Sequence, residues 1–170
     1  RLRSRGLGDV YKRQICMKYA VSACLLGVNC KYNGGNNEHK ELLSFLEGKE
    51  VVPICPECAG GLPIPRISSE IRNGRVINKE EEDVSEAFYK GAEKEIKKLL
   101  DEKADLVITQ PRSPSCGKGK IYDGTFSKTL IDGDGIFVQM CKNNGLCIKN
   151  VDEFLIEVKN EANICEKNKF

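Results

Sequence analysis

The chain has 170 residues, of which 40% are hydrophobic and 31% are charged, as is ordinary for a globular protein. No apolar run approaches the roughly 18 residues that suggest a membrane span. No apolar stretch of about 7 to 15 residues marks a secretory signal. We therefore expect a cytoplasmic protein with no membrane partner, and its length is sufficient to bury a hydrophobic core without disulfides.

Residues 1–16 differ from the rest of the chain. They hold five of the 27 basic and one of the 25 acidic side chains, and they show no helical or strand period. We interpret residues 1–16 as a non-native leader and residues 17–170 as a single α/β domain; an organellar transit peptide is the alternative. Residues 17–170 then carry 22 basic and 24 acidic side chains, a net charge of about −2. This balance gives no argument for nucleic-acid binding.

Nine cysteines need an explanation. Their number is odd, no export signal is present, and the chain is too large to need disulfides for its stability. In a reducing cytosol, metal binding or catalysis explains them better than a disulfide framework. They are Cys16, Cys24, Cys30, Cys55, Cys58, Cys116, Cys141, Cys147 and Cys165.

Predicted strands and helices alternate in the first half of the chain. Short apolar runs predict buried strands at Tyr19–Ala23 and Val51–Ile54, and leucines at helical spacing predict a helix over Glu38–Glu47 between them. The dipeptide Asn73-Gly74 is the typical signal of a tight β-hairpin.

The longest predicted helix covers Glu80–Lys103. Its acidic start and its later lysines suit the helix dipole. Mostly apolar residues recur at helical spacing along one side, which predicts a buried face. That side consists of Val84, Phe88, Gly91, Glu95 and Leu99, and is widened by neighbouring apolar residues.

The second half continues the alternation. Apolar runs predict strands at Leu106–Thr109 and Ile136–Met140, Asp123-Gly124 suggests a second small hairpin, and a last helix is predicted from Val151 to about Ala162. Alternating strands and helices imply right-handed crossovers. The sequence therefore predicts an α/β fold with a mostly parallel sheet and small hairpin insertions.

Three cysteines follow the predicted strands. Cys24 comes directly after the first strand, Cys55 ends the second, and Cys116 lies in the loop after the third. Ligands of open parallel sheets gather outside the carboxyl ends of the strands, so we expect these three thiols to meet at one place. That arrangement is typical of a metal site.

The thiol set restricts the metal. Soft sulfur ligands select zinc, copper(I) or iron–sulfur clusters. A structural zinc usually takes four ligands at tight spacing, often two CxxC pairs, and here only Cys55-Pro56-Glu57-Cys58 forms such a pair. A [4Fe–4S] cluster held by three thiolates fits better, because it leaves one iron open to substrate.

Four motifs, in order, resemble the thiouracil desulfidase family: SACLLG, CKYNG, ICPECAGGLPIPR followed by SSEI, and RSPSCGKGKIYDGTF. The resemblance covers about Lys18 to Met140. It implies an α/β, Rossmann-like fold and a [4Fe–4S] cluster held by three cysteines, which match Cys24, Cys55 and Cys116. It also implies a non-redox reaction in which 2-thiouracil becomes uracil and sulfide.

The resemblance also implies two catalytic residues: Glu57 from the CPE motif and Ser113 from SPSCG. Replacing C=S by C=O requires water to attack and protons to move, and a carboxylate two residues beyond a ligand is well placed as general acid/base. Ser113 can orient the substrate or relay a proton, and iron can act as a Lewis acid. Arg66 binds a substrate carbonyl or pins the loop through a carboxylate such as Glu70; both hypotheses stay open.

Two other classes of protein are alternatives. A persulfide-carrying sulfurtransferase or dithiol oxidoreductase would use Cys55 and Cys58, and a non-catalytic module would bind zinc. We interpret Cys30 and Cys58 as neighbours of the site, and Cys141, Cys147 and Cys165 as buried or incidental. The expected partner is a small thiolated pyrimidine or related heterocycle.

Overall fold

The computed structural model describes the backbone of residues 17–167 and the side chains of residues 17–163. The interpretation of residues 1–16 as a leader, and that of the Cys165 side chain, concern parts of the chain outside these described residues. Within residues 17–167, none of the helices combines the length and the apolar character that crossing a membrane requires.

Strands and helices alternate along the described chain. In order, the elements are β1 Lys18–Ser22, a 3-10 turn Ala23–Leu26, α1 Lys40–Leu46, β2 Glu50–Ile54, α2 Pro56–Ala59, β3 Ser69–Arg72, β4 Arg75–Asn78, α3 Ser85–Asp101, β5 Leu106–Thr109, β6 Lys120–Tyr122, β7 Leu130–Asp132, α4 Ile136–Asn143, β8 Ile148–Asn150 and α5 Val151–Lys167.

A four-stranded parallel sheet is the centre of the fold. Its strand order is β2-β1-β5-β8, with Ser22 of β1 opposite Ile54 of β2 and Val21 opposite Ile108 of β5. The chain leaves β1 towards one edge of the sheet and leaves β5 towards the other. This reversal opens a crevice at the carboxyl ends of β1 and β5, which is where open α/β sheets bind ligands.

Both faces of the sheet are covered, because side chains of a strand alternate between them. Ala20 of β1 joins the core formed with α3 and α4, whereas its neighbours Tyr19 and Val21 join the core formed with α1 and α5. Residues on the first face include Phe88 and Phe137, each almost fully buried. Each such side chain contributes about 1.5–3 kcal/mol to the free energy of folding.

Helices α2 and α3 touch backbone to backbone. A Cβ atom on Gly91 would lie 1.8 Å from the carbonyl oxygen of Pro56, and one on Gly60 would lie 2.0 Å from the carbonyl oxygen of Ala87. No side chain fits at either position without moving the main chain. The two glycines therefore fix the segment after Cys55 against α3.

The α/β fold with a parallel sheet is confirmed, and three predicted strands correspond to β1, β2 and β5 within one residue. The strand predicted at Ile136–Met140 is wrong, because this run belongs to helix α4. The helix begins with three consecutive buried residues, Ile136, Phe137 and Val138, so its first turn shows no alternation of apolar and polar sides. The fourth strand is instead β8, only three residues long.

The hairpin predicted at Asn73-Gly74 is confirmed. It joins β3 and β4, and both turn residues have positive φ angles, 50° and 75°, as the favoured two-residue hairpin turn requires. The second hairpin exists as β6 and β7, but Asp123-Gly124 is not a tight turn. The two strands are joined by the longer loop 123–129, which lies over the cavity described below.

We expect Gly91→Ala to lower the free energy of unfolding by at least about 2 kcal/mol, because overpacking against main-chain atoms cannot be relieved by a rotamer change. Glycine-to-alanine changes inside helices normally stabilise, by about 0.5–1 kcal/mol. Urea unfolding measures the difference, with Lys97→Ala on the exposed side of α3 as the control. An unchanged or higher midpoint for Gly91→Ala would contradict the close contact.

Candidate functional site

A cavity of about 580 Å³ lies at the carboxyl ends of β1, β2 and β5. Residues 22–24, 54–57, 110–114 and 116, at or just after the ends of these three strands, form its inner wall. Residues 66–70 and the loop between β6 and β7 complete the outer wall. The crevice expected from the strand order is therefore a built cavity.

Four cysteines line this cavity. Cys24, Cys55 and Cys116, the three predicted ligands, are joined there by Cys30. All four are free thiols; Cys55 is half-buried and the other three are buried. Cys30 is within hydrogen-bonding contact of both Cys24 and Cys55. The structure thus brings together three thiols that are distant in the sequence, and adds a fourth.

The surroundings of Cys30, Cys55 and Cys116 oppose the ionisation of these three thiols. Burial raises the pKa of the Cys116 thiol, and the contact with Cys30 together with burial raises that of Cys55. The contact with Cys24 is the main cause that raises the pKa of Cys30 to about 11. With protein groups alone, Cys30, Cys55 and Cys116 are therefore protonated at neutral pH. Thiolates at these positions need the compensating charge that a bound metal provides.

The four thiols that line the cavity are soft metal donors. Among the residues whose side chains are described, no group of three His, Cys, Asp or Glu residues is arranged to hold a single metal ion. A multi-iron cluster is wider than one ion, so its ligands stand further apart. Three soft donors around an open cavity fit such a cluster in donor chemistry.

Glu57 lies in this cavity and forms an ion pair with Arg66. The Arg66 Nη2 and Nε atoms lie 2.6 Å and 2.7 Å from Glu57 Oε2. The pair is well shielded, since the side chains of Arg66 and Glu57 are only 7% and 16% exposed. Arg66 Nη2 also donates to the carbonyl oxygen of Cys30, at 3.0 Å. One guanidinium group therefore ties the Cys30 segment to the CPE motif.

Glu70 is not the partner of Arg66, so that form of the loop-pinning hypothesis is wrong. The buried Glu70 carboxylate accepts the N–H groups of Gly124 and Phe126, at 3.0 Å and 2.9 Å. It thereby fixes the loop between β6 and β7. The sequence separation of 54 and 56 residues hides this contact from any local pattern.

Ser113 connects Glu57 to the Cys116 loop. Its Oγ atom accepts the N–H groups of Ser115 and Cys116, each at 3.1 Å, and lies 3.4 Å from Glu57 Oε1. Because the two amides occupy the lone pairs of this oxygen, its hydroxyl hydrogen points away from them and is available to Glu57. Both predicted catalytic residues thus belong to one hydrogen-bonded unit.

The sequence reasoning missed several residues that line the cavity. They come from separate loops, and no spacing connects them in the sequence. Three of them, Phe126, Lys128 and Arg112, have backbone φ angles in the left-handed region, of 58°, 64° and 66° respectively. The motifs CKYNG, RSPSCG and KIYDGTF contain five of these residues, so they were the available signals. The missed residues are Lys31, Tyr32, Lys79, Arg112, Tyr122, Phe126 and Lys128.

The fold and the site define an α/β protein with a thiol-lined ligand cavity at the carboxyl edge of its parallel sheet. The sequence model of the 2-thiouracil desulfurase family matches residues 19–153, and the chain belongs to this family. The matched region contains every residue of the cavity discussed above.

Two known proteins are similar to this chain. The uncharacterized protein YbbK of Bacillus subtilis (strain 168) is 34% identical over 143 residues, which cover 78% of this chain and 95% of YbbK. The solved structure of TudS, a [4Fe–4S]-dependent thiouracil desulfidase, superposes with a TM-score of 0.78 at 32% identity. That similarity covers 87% of this chain and 99% of the TudS chain.

We expect Ser113→Ala to destabilise the protein by about 1–2 kcal/mol, because two backbone N–H groups in the Cys116 loop lose their acceptor. Urea unfolding of the protein without added metal isolates this effect from any cofactor. Ser44→Ala, on the exposed side of α1, is the matched control and should change stability by less than about 0.5 kcal/mol. Equal effects of the two substitutions would show that the Ser113 bonds do not hold the loop.

Proposed function

We propose that the protein is a [4Fe–4S]-dependent, non-redox desulfidase that converts a thiolated pyrimidine, such as thiouracil, or a related thio-heterocycle into the oxo compound and sulfide. The observation that carries the proposal is the meeting of Cys24, Cys55 and Cys116 in one cavity, beside the hydrogen-bonded Glu57 and Ser113. Membership of the 2-thiouracil desulfurase family and the similarity to TudS support it.

In this proposal, Cys24, Cys55 and Cys116 are the cluster ligands. They follow three adjacent strands, and their donor chemistry suits iron. When bound, the cluster supplies a Lewis-acidic iron that polarises the C–S bond of the substrate. The remaining steps fall to side chains of the cavity.

Glu57 is the proton carrier. Both Arg66 contacts go to Oε2, so this oxygen is committed to the ion pair and Oε1 is the atom that receives a proton. As general base, the Glu57 carboxylate takes a proton from the attacking water. The same proton is then available at Oε1 for the departing sulfur.

Ser113 and Arg66 position this carboxylate. The Ser113 hydroxyl is directed at Oε1, and its two amide contacts prevent it from turning away. Arg66 fixes Oε2 from the opposite side and is itself held by the carbonyl oxygens of Cys30 and Pro63. Such preorganisation avoids rearrangement during the reaction. In this proposal, Arg66 acts through Glu57 and does not bind a substrate carbonyl.

The rival dithiol hypothesis is less well supported by the geometry. Burial is the main cause that raises the pKa of Cys58 to about 11, whereas an attacking thiol needs a lowered pKa. Its Sγ atom contacts the Cys30 carbonyl oxygen at 3.9 Å. Helix α2 ends at Ala59, after four residues, so little helix dipole is available to stabilise a thiolate.

Anaerobic reconstitution with iron and sulfide tests the ligand set. We expect the wild-type protein to gain broad absorbance near roughly 400 nm and to consume 2-thiouracil, and Cys116→Ala to lose both. Cys141→Ala removes an equally buried thiol from the core and should retain both properties. Cys58→Ser should also retain them.

Three results would contradict this assignment. A colourless wild-type protein would exclude the cluster, and one bound zinc without iron would establish the zinc-binding alternative. Activity that survives without iron and disappears in Cys58→Ser would establish the dithiol alternative.

Glu57→Gln tests the proton carrier separately from the cluster. We expect the reconstituted variant to keep its absorbance, whereas turnover of 2-thiouracil falls about 10²–10⁴-fold because the amide cannot carry the proton. Glu80→Gln, an exposed acid outside the cavity, is the control and should keep full turnover. Full activity in Glu57→Gln would exclude Glu57 as general acid/base.

A further inference from the structure

Glu95 is a carboxylate on the buried side of helix α3. It is only 7% exposed, and its neighbours along the same side of the helix are the core residues Phe88, Ala92 and Leu99. Burial of a carboxylate is costly unless its charge and its hydrogen-bonding capacity are used. Nothing in the proton transfers assigned to Glu57 requires it, so its burial needs another explanation.

The contacts of Glu95 point to the predicted cluster ligand Cys55. Its Oε1 atom accepts the backbone N–H of Cys55 at 3.1 Å. Its Oε2 atom is buried and accepts no hydrogen bond. The nearest cation is Lys98, whose Nζ atom lies 3.5 Å from Oε2, is partly exposed, and donates to the carbonyl oxygen of Pro53 at 2.7 Å. Lys98 therefore compensates the negative charge of Glu95 from one side only, and this ion pair is open to solvent.

The glycine contact between α2 and α3 produces this placement. Gly91 lies directly against Pro56, and Glu95 follows Gly91 by one helical turn on the same side of α3. Pro56 in turn follows Cys55. The backbone contact at Gly91 therefore holds the carboxylate of Glu95 beneath the amide of Cys55, at a fixed distance.

We propose that Glu95 is a positioning residue that holds the Cys55 backbone and places a buried negative charge behind this ligand, which lowers the reduction potential of the cluster. The inference rests on the proposed function. An added electron is repelled by a nearby negative charge, and the low local dielectric constant strengthens that repulsion. The Cys55 amide is also occupied by Glu95 and so is withheld from the sulfur atoms of the cluster.

This role suits a reaction that moves no net electrons. Conversion of C=S to C=O with release of sulfide is balanced by water alone, so the cluster must neither gain nor lose an electron during turnover. A carboxylate that disfavours reduction preserves the oxidation state in which iron acts as a Lewis acid. A neutral acceptor would have been enough for a purely structural contact with the Cys55 N–H, whereas Glu95 adds a buried negative charge at this position.

Glu95→Gln separates charge from hydrogen bonding, because the amide oxygen of glutamine can still accept the Cys55 N–H. In the reconstituted protein, titrated with dithionite under anaerobic conditions, we expect the one-electron midpoint potential to become more positive. The expected size is about a tenfold change in the reduction equilibrium, or about 59 mV. Glu93→Gln removes the same charge from the exposed side of α3 and should leave the potential unchanged.

Lys98→Gln provides a second test with the opposite sign. Removal of the cation leaves Glu95 less compensated, so the midpoint potential should become more negative. A merely structural role for Glu95 would change cluster retention but would leave the potential of Glu95→Gln at the wild-type value. If Glu95→Gln does not fold, the direction of the Lys98→Gln shift decides. An unchanged midpoint potential in Lys98→Gln then overturns the proposal.

The outcomes separate this inference from the proposed function. A cluster whose potential is the same in wild type and Glu95→Gln overturns the inference and leaves the desulfidase proposal intact. A cluster that forms, shifts as described and yet does not consume thiolated pyrimidines overturns the desulfidase proposal alone. A protein that takes up no cluster overturns both.

Discussion

Strand β1 pairs in parallel with β2 on one side and with β5 on the other, and the whole site depends on these two pairings. They bring the ends of three strands side by side, although the segments that follow are far apart in the sequence. Cys24, Cys55 and Cys116 line one cavity for this reason. The main-chain hydrogen bonds of a parallel sheet thereby determine which thiols can share a ligand.

Side-chain bonds then connect the loops that the sheet has brought together. Glu57 is bonded to Arg66 on one side and to Ser113 on the other, and Arg66 also binds the Cys30 carbonyl oxygen. Three loops are therefore linked through a single carboxylate. In the proposed reaction, the group that carries the proton also maintains the shape of the cavity, so its position is fixed before substrate arrives.

The sequence predicted the features that local patterns encode. The apolar runs of β1, β2 and β5 and the cysteines after them led to the correct sheet and to one shared cavity. The run at Ile136–Met140 was misassigned because it opens with three consecutive buried apolar residues, and periodicity alone cannot distinguish such a short run from a buried strand. Three tertiary contacts have no signal in the spacing of the sequence. They are the pairing of Arg66 with Glu57, the anchoring of the β6–β7 loop by Glu70, and the contact of Glu95 with Cys55.

The two walls of the cavity differ in how they are built. On the α3 side, main chain rests on main chain at Gly60 and Gly91, which leaves no compressible side chain between them. On the opposite side, the loop that carries Phe126 is attached through two amide bonds to one carboxylate, Glu70. In the proposed function, heterocycles of different shape would be accommodated at the second wall, because the first is supported by direct main-chain contact.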